Sequence, residues 1–344
     1  MIRKAVEQLS AYTPGEQPRG TGVIKLNTNE NPYPPSPKVA GALKNIDPAK
    51  LRLYPDPVCT SLRKKIATYH SCGVEQVFVG NGSDEVLALA LRAFVERNGS
   101  VGYFDPSYSL YPVLAAIEGI RTAPVSLADD FGWTPPSLAD TSLFFLTNPN
   151  APTSLLFSKS DVSAFCRSYP GVVLIDEAYV DFAPGHCVDL SLQLPNVLCA
   201  RSLSKSFSLA GLRVGYAVGS VGLIEALYKI KDSYNVSYLA QELASAAMED
   251  IAWMRANVER IRTTRDRVAG VLTGWGNFVY PSATNFIWVR PAGKPAREIF
   301  ESLRSRNIFV RYFPGPRTGN HIRITIGTDE QMDAFLAAWR EVTG

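Results

Sequence analysis

Histidine is scarce. The chain has three, His70, His186 and His321, in 344 residues. They are too scattered to form a metal cluster or to supply the base of a Ser-His-Asp triad. The five cysteines, Cys59, Cys72, Cys166, Cys187 and Cys199, are odd in number and include no CxxC pair. That argues against a disulfide or zinc framework and fits reduced thiols. There is no excess of one charge either: the net value is +3, with acids and bases interspersed. No basic face or tail therefore points to nucleic acid or to a membrane surface. No apolar run approaches ~18 residues, and the first residues, MIRKAVEQLSAYTPGE, lack the apolar core of a secretory signal. The expectation is a cytoplasmic protein whose partners are small molecules.

What is present is ample core-forming material, at 46% hydrophobic residues, in a chain long enough for two domains of ~100–200 residues each. No internal repeat or low-complexity tract interrupts it. The opening is rich in Pro and Gly (Pro14, Gly15, Pro18, Gly20, Gly22) and reads as an extended arm. LNTNENPYPPSP follows as a series of turns, with Pro37 placed to start a helix through Leu43. In Leu53-Tyr54-Pro55-Asp56-Pro57, two prolines stiffen the backbone and hold Tyr54 extended.

From residue 76 onward, apolar runs alternate with helical patterns, the signature of a mostly parallel sheet wrapped by helices. Each run ends in residues able to hold a ligand. Gln76–Val79 leads into Gly80-Asn81-Gly82-Ser83-Asp84-Glu85 and then a helix to about Glu96. Glycines, a capping Ser83 and the free amides of Asp84 and Glu85 make an anion site there. Val101–Phe104 leads to Tyr108, which can lie flat on a ring. Leu143–Thr147 leads to Asn148 in a turn, and Val172–Ile175 to Asp176 and Tyr179. Val197–Ala200 leads into RSLSKSFSLAGLRVGYAV, where Lys205 sits among Ser202, Ser204 and Ser206, with Arg213 eight residues on. Open α/β sheets bind ligands at the carboxyl ends of their strands, so these ends converge on one expected site.

The combined inventory has a chemical reading: a lysine for an aldehyde, a phosphate cradle with a second cation, a stacking aromatic and an acid for a ring nitrogen. It describes a site for pyridoxal 5'-phosphate (PLP). Asn148 and Tyr179 are placed to donate to the ring oxygen.

Beyond residue 239 a strongly helical stretch runs to 273, with Gly274 as its stop. Strands are expected at Asn277–Tyr280, Asn285–Val289, Ile308–Val310 and His321–Ile326, with helices at Ala296–Arg306 and Asp329–Val342. The division expected is an arm over 1–28, a large domain over 29–250 and a smaller α+β C-terminal domain with its linking helix over 251–344. Arg311 and Arg323 fall on or beside strands of the last, suited to grip a carboxylate or phosphate.

The motifs LNTNENP, YPDP, GNGSDE, DPSY, TNPNAPT, LIDEAYVDF, SLSKSFSLAGLRVGY and IRITIG resemble those of fold-type I PLP aminotransferases, most closely the histidinol-phosphate aminotransferase family. The resemblance runs from residue 26 to 327. It implies a transamination between glutamate and imidazole acetol phosphate, giving histidinol phosphate and 2-oxoglutarate. Aromatic aminotransferases and threonine-phosphate decarboxylases carry similar motifs and stay open as alternatives. On the family pattern Lys205 bonds the cofactor and moves the proton, Asp176 binds the ring nitrogen, and Tyr108 stacks on the ring. Asn148 and Tyr179 hold its oxygen, while Ser202, Ser204 and Arg213 hold the phosphate with the amides of Ser83, Asp84 and Glu85. Arg311, Arg323, Tyr12 and Asn29 are the substrate-binding candidates. The pattern also implies a homodimer in which Tyr54 reaches the phosphate of the partner subunit's cofactor. One departure is Ser154 in TNPNAPTS, where many relatives have glycine, which leaves the turn there in question.

Overall fold

A computed structural model describes residues 1–344 apart from Arg3, Gln8, Ser10, Ala11, Tyr12, Ser137 and Ala139, and apart from the side chains of Lys4 and Ala5. Its centre is a seven-stranded sheet in the order Val77–Gly80, Gly215–Gly219, Val197–Ser202, Val172–Asp176, Leu143–Thr147, Ser100–Asp105, Arg121–Ser126. All neighbours are parallel except Gly215–Gly219, which runs antiparallel to both strands beside it.

The inner strands are unbroken apolar runs because helices cover both faces. Successive side chains of one strand feed opposite cores. Leu143 and Phe145 pack with Val86, Tyr111, Ala115 and Leu227, whereas Phe144 and Leu146 pack with Val162, Phe165 and Leu190. The edge strand Arg121–Ser126 is half exposed and carries Pro124, a residue tolerated in a sheet only where its missing N–H is not needed.

The helix expected after Gly82 spans Ser83–Phe94 and buries Val86, Leu87, Leu89, Ala90 and Leu91. Its N-cap is Gly82 at φ 81°, with no side-chain cap, so Ser83 is the first helical residue rather than the cap. Pro37 does open a helix, Pro37–Lys44. The long helix expected over 239–273 is two: Tyr238–Met248 and Ile251–Gly274. Asp250 makes the break by turning its carboxylate onto the Trp253 amide at 3.3 Å, capping the second helix.

The C-terminal part forms a four-stranded antiparallel sheet in the order Arg311–Tyr312, Ile322–Thr325, Phe286–Arg290, Phe278–Val279, with helices Ala296–Ser305 and Asp329–Thr343. The expected strand at Ile308–Val310 does not join it. Ile308–Phe309 instead pairs in parallel with Ile24–Lys25, and Arg304 grips Glu16 with two bonds of 2.9 Å. The N-terminal stretch is thus stitched to the C-terminal part. Ser154 makes its turn at φ 66°, a left-handed conformation that glycine would adopt with less strain.

Candidate active site

One cavity gathers the carboxyl ends of the parallel strands, the N-terminal segment and the C-terminal sheet. Its phosphate-sized end is built by close backbone approach. A Cβ on Gly215 would stand 2.3 Å from the Ser83 amide nitrogen, and one on Gly82 would stand 2.7 Å from Arg213 Nη2. Only glycine lets the strand, the helix start and the guanidinium crowd together here. Ser83, Ser202, Ser204 and Arg213 line this end, with Arg213 in the left-handed region at φ 54°. Helix amides, two hydroxyls and a guanidinium make a donor set suited to a phosphate. Asp84 also lines it, with its carboxylate engaged by neighbours. Oδ2 is 3.1 Å from Arg213 Nη2, and Oδ1 accepts from the Tyr108 hydroxyl at 3.2 Å.

Lys205 reaches the middle of the cavity, where Nζ donates to the Thr28 carbonyl at 3.2 Å. Its loop is held by Asn31, whose amide donates to the carbonyls of Lys205 and Ser206 at 3.0 and 3.2 Å. Burial, reinforced by the positive charge of Arg323, lowers the lysine to about 8. It is therefore far closer to its nucleophilic neutral form than an exposed lysine.

Asp176 closes the strand Val172–Asp176, flanked in register by Thr147 and Ala200. Burial raises it to about 6, although the Tyr111 hydroxyl donates to Oδ2 at 2.9 Å and the Ala178 amide to Oδ1 at 3.1 Å. A carboxylate so desolvated is primed to accept a cationic N–H partner. Tyr108 and Tyr179 line the walls, and the Tyr179 hydroxyl accepts from Asn29 Nδ2 at 2.9 Å.

At the mouth, Arg311 and Arg323 are direct cross-strand partners on one face of the antiparallel pair. Like charges placed opposite one another repel, which suits a site waiting for an anion. Arg311 donates to the carbonyls of Thr13 and Pro14 at 3.0 and 3.2 Å, and Arg323 to that of Asn27 at 2.9 Å.

Three expected residues are not brought to the cavity. Asn148 is buried and spent on its own loop: Oδ1 accepts from the Phe157 amide at 2.8 Å and Nδ2 donates to the Phe157 carbonyl at 3.3 Å. It is not among the residues lining the cavity. Glu85, expected there through its amide, is not among the residues lining the cavity, and its carboxylate accepts from the Asn81 amide and, at 2.8 Å, from Asn235 Nδ2. Tyr54 is 80% exposed and stacks on Tyr234 with centroids 4.4 Å apart, away from the cavity of its own chain. Tyr12 lies outside the described residues.

The sequence reading missed the support beneath the site. Arg201 and Glu177 form a buried pair, Nε to Oε2 at 2.9 Å, between the strand ends that carry Lys205 and Asp176. The Ser206 hydroxyl donates to Asp181 in the same layer. Tyr111 was also missed.

The sequence model of the family described as "Aminotransferase class I and II" matches residues 21–338. The chain is 44% identical over 345 residues to histidinol-phosphate aminotransferase 1 of Burkholderia pseudomallei, covering 98% of this chain and 97% of that one. It is 41% identical over 343 residues to histidinol-phosphate aminotransferase of Microcystis aeruginosa, covering 99% and 98%. Among solved structures, histidinol-phosphate aminotransferase from Sinorhizobium meliloti in complex with pyridoxal-5'-phosphate superposes with a TM-score of 0.88 at 27% identity, over 99% and 97% of the two chains. Full-length identity of this order, together with a sheet whose strand ends converge on one half-buried lysine, shows that the chain belongs to the class I and II aminotransferases, within the histidinol-phosphate aminotransferase group.

Proposed function

We propose that the protein is a PLP-dependent aminotransferase exchanging an amino group between L-glutamate and imidazole acetol phosphate, giving L-histidinol phosphate and 2-oxoglutarate in histidine biosynthesis. The observation that carries this reading is the 44% identity to a histidinol-phosphate aminotransferase across nearly the whole of both chains. The cavity's donors fit PLP: a phosphate cradle, a lysine with depressed basicity and a buried carboxylate surround one space.

When bound, PLP supplies an electron sink for the negative charge left on the substrate carbon. The protein supplies the rest. Ser83, Ser202, Ser204 and Arg213 would hold the PLP phosphate. Tyr108 would cover the ring, and Tyr179, steadied by Asn29, would donate to its oxygen. The Asp176 carboxylate would accept from the ring N–H and favour the protonated nitrogen. Nζ of Lys205 would take the proton from the substrate α-carbon and hold it for return. Arg311 and Arg323 release their backbone carbonyls to grip the α-carboxylate of one substrate and the phosphate of the other.

The working unit is read as a cytoplasmic homodimer. Supporting this are the exposed Tyr54–Tyr234 stack and, beside Tyr54 in the chain, the exposed Leu51 and Leu53, an apolar group of the kind that interfaces cover. No helix among the described residues is long and apolar enough to cross a membrane.

The test is a panel of acceptors with glutamate as donor. Imidazole acetol phosphate is expected to give the highest kcat/KM. Preference for phenylpyruvate, or carbon dioxide release from threonine phosphate without formation of a keto acid, would overturn the substrate assignment.

A further inference from the structure

Tyr111 has no exposed surface and lies in the helix Leu110–Glu118, below the wall that Tyr108 presents to the cavity. Its ring is clamped: it stacks on Phe145 with centroids 4.6 Å apart and meets Tyr108 edge-on at 5.6 Å. The hydroxyl sits between two oxygens, 2.6 Å from Thr147 Oγ1 and 2.9 Å from Asp176 Oδ2.

The proton count fixes the direction of these bonds. An ionised carboxylate can only accept, so the single phenolic proton points at Asp176, and Thr147 must then donate to Tyr111. Thr147 and Asp176 are register partners at the ends of adjacent strands. The chain of donors therefore bridges two strand ends and the helix on one face of the sheet.

We propose that Tyr111 is a positioning residue for Asp176, its hydroxyl relaying Thr147 onto the carboxylate so that one orientation, in the ionised form, is presented to the ring nitrogen. The second oxygen is fixed by the Ala178 amide at 3.1 Å, so the carboxylate is held from two directions and cannot swing away.

The need for such a donor follows from the surroundings. Burial pushes Asp176 toward its neutral form, and the carboxylates of Asp84 and Glu177 push the same way. Glu177 is committed to Arg201, and Asp84 to Arg213. Lys205 and Tyr179 share the cavity with Asp176. A neutral Asp176 would hold the proton itself and leave the ring nitrogen bare. Each fixed donor to the charged form opposes that outcome.

The inference rests on the reading of Asp176 as the ring-nitrogen partner, and the experiment separates the two. The holoenzyme is prepared with PLP carrying 15N at the pyridine nitrogen, whose NMR shift reports protonation directly. In wild type the signal is expected at the protonated position, and in Tyr111→Phe displaced toward the neutral position. With it kcat should fall about tenfold while KM stays within about twofold, as for loss of one hydrogen bond to a charged group. Thr147→Val should move the signal in the same direction by less, because it weakens Tyr111 as a donor without touching Asp176. A Tyr111→Phe holoenzyme with wild-type melting and an unmoved signal would overturn the proposal. Should that variant fail to fold, an unmoved signal in Thr147→Val overturns it instead. If Asp176→Asn itself leaves the signal at the protonated position, the reading of Asp176 fails. If Asp176→Asn moves it and Tyr111→Phe does not, only the role of Tyr111 falls.

Discussion

The Cα of Gly215 lies so close to the start of the helix Ser83–Phe94 that a methyl group on it would stand 2.3 Å from the Ser83 amide nitrogen and 2.5 Å from the Gly82 carbonyl carbon. These are backbone atoms and cannot swing aside. Gly215→Ala must therefore push the strand away from the helix start, widening the anion cradle. Overlap of this kind costs about 1–3 kcal/mol, and the strain falls where Ser83, Ser204 and Arg213 converge. The expected outcome is a tenfold or greater rise in the dissociation constant for PLP, on the order of the lower bound of that cost, with a lowered Tm. Absorbance titration of the cofactor-free protein measures it, and unchanged affinity would refute the cradle.

Lys205 should be the sole site of covalent attachment, and its reactivity should follow its depressed basicity. The amine is buried beside Arg323 and brought down to about 8, so its neutral fraction rises with pH through that value and levels off above it. The rate of PLP capture by the cofactor-free protein is expected to rise likewise, with a midpoint near 8 rather than the ~10.4 of a free lysine. Lys205→Ala should show no borohydride-reducible adduct and no turnover. Mass spectrometry locating an adduct on another lysine would refute the assignment.

Asp176→Asn should separate stability from chemistry. The carboxyl is raised from 3.8 to about 6 by burial, so between those values the folded cofactor-free protein holds a proton that the unfolded chain has lost. Stability from this group therefore falls as pH rises through that window. A neutral amide escapes that cost, and Tyr111 can accept from it while donating to Thr147. The variant is expected to melt no lower than wild type at pH 7.5 without cofactor, yet to lose on the order of a hundredfold or more in kcat. Near-normal single-turnover rates would remove Asp176 from the mechanism.

The large sheet was legible because buried parallel strands are written as continuous apolar runs: Leu143–Thr147, Val172–Asp176 and Val197–Ser202 each end in polar residues at the cavity. Arg121–Ser126 was not, since an edge strand half in solvent has no such run. The break at Asp250 was hidden because a capping carboxylate looks like any acid in a charged helix. Asn148 misled because an amide in a turn can face the ligand or its own loop, and only the fold decides which. The Arg201–Glu177 pair joins residues 24 apart, a contact created by strand register and invisible in local spacing. Tyr111 in LYPVLAAIE is indistinguishable in sequence from an apolar-face aromatic, and only the fold sets its hydroxyl against Asp176.

Tyr54 poses the last test. Its side chain is 80% exposed on a proline-stiffened segment and does not line the cavity that holds Lys205 in its own chain. In a homodimer with shared sites, Tyr54 of one subunit completes the site of the other. Tyr54→Ala and Lys205→Ala then damage different halves of one composite site, and each homodimer is impaired. Mixed under conditions of subunit exchange, they form heterodimers in which one site carries both lesions and the other neither. Activity is therefore expected to rise above that of either parent, toward one intact site per heterodimer. If Tyr54 serves its own chain, every heterodimer carries one lesion in each site, and no gain appears. Native mass spectrometry establishes that exchange has occurred, and the absence of a gain in exchanged samples would refute the shared site.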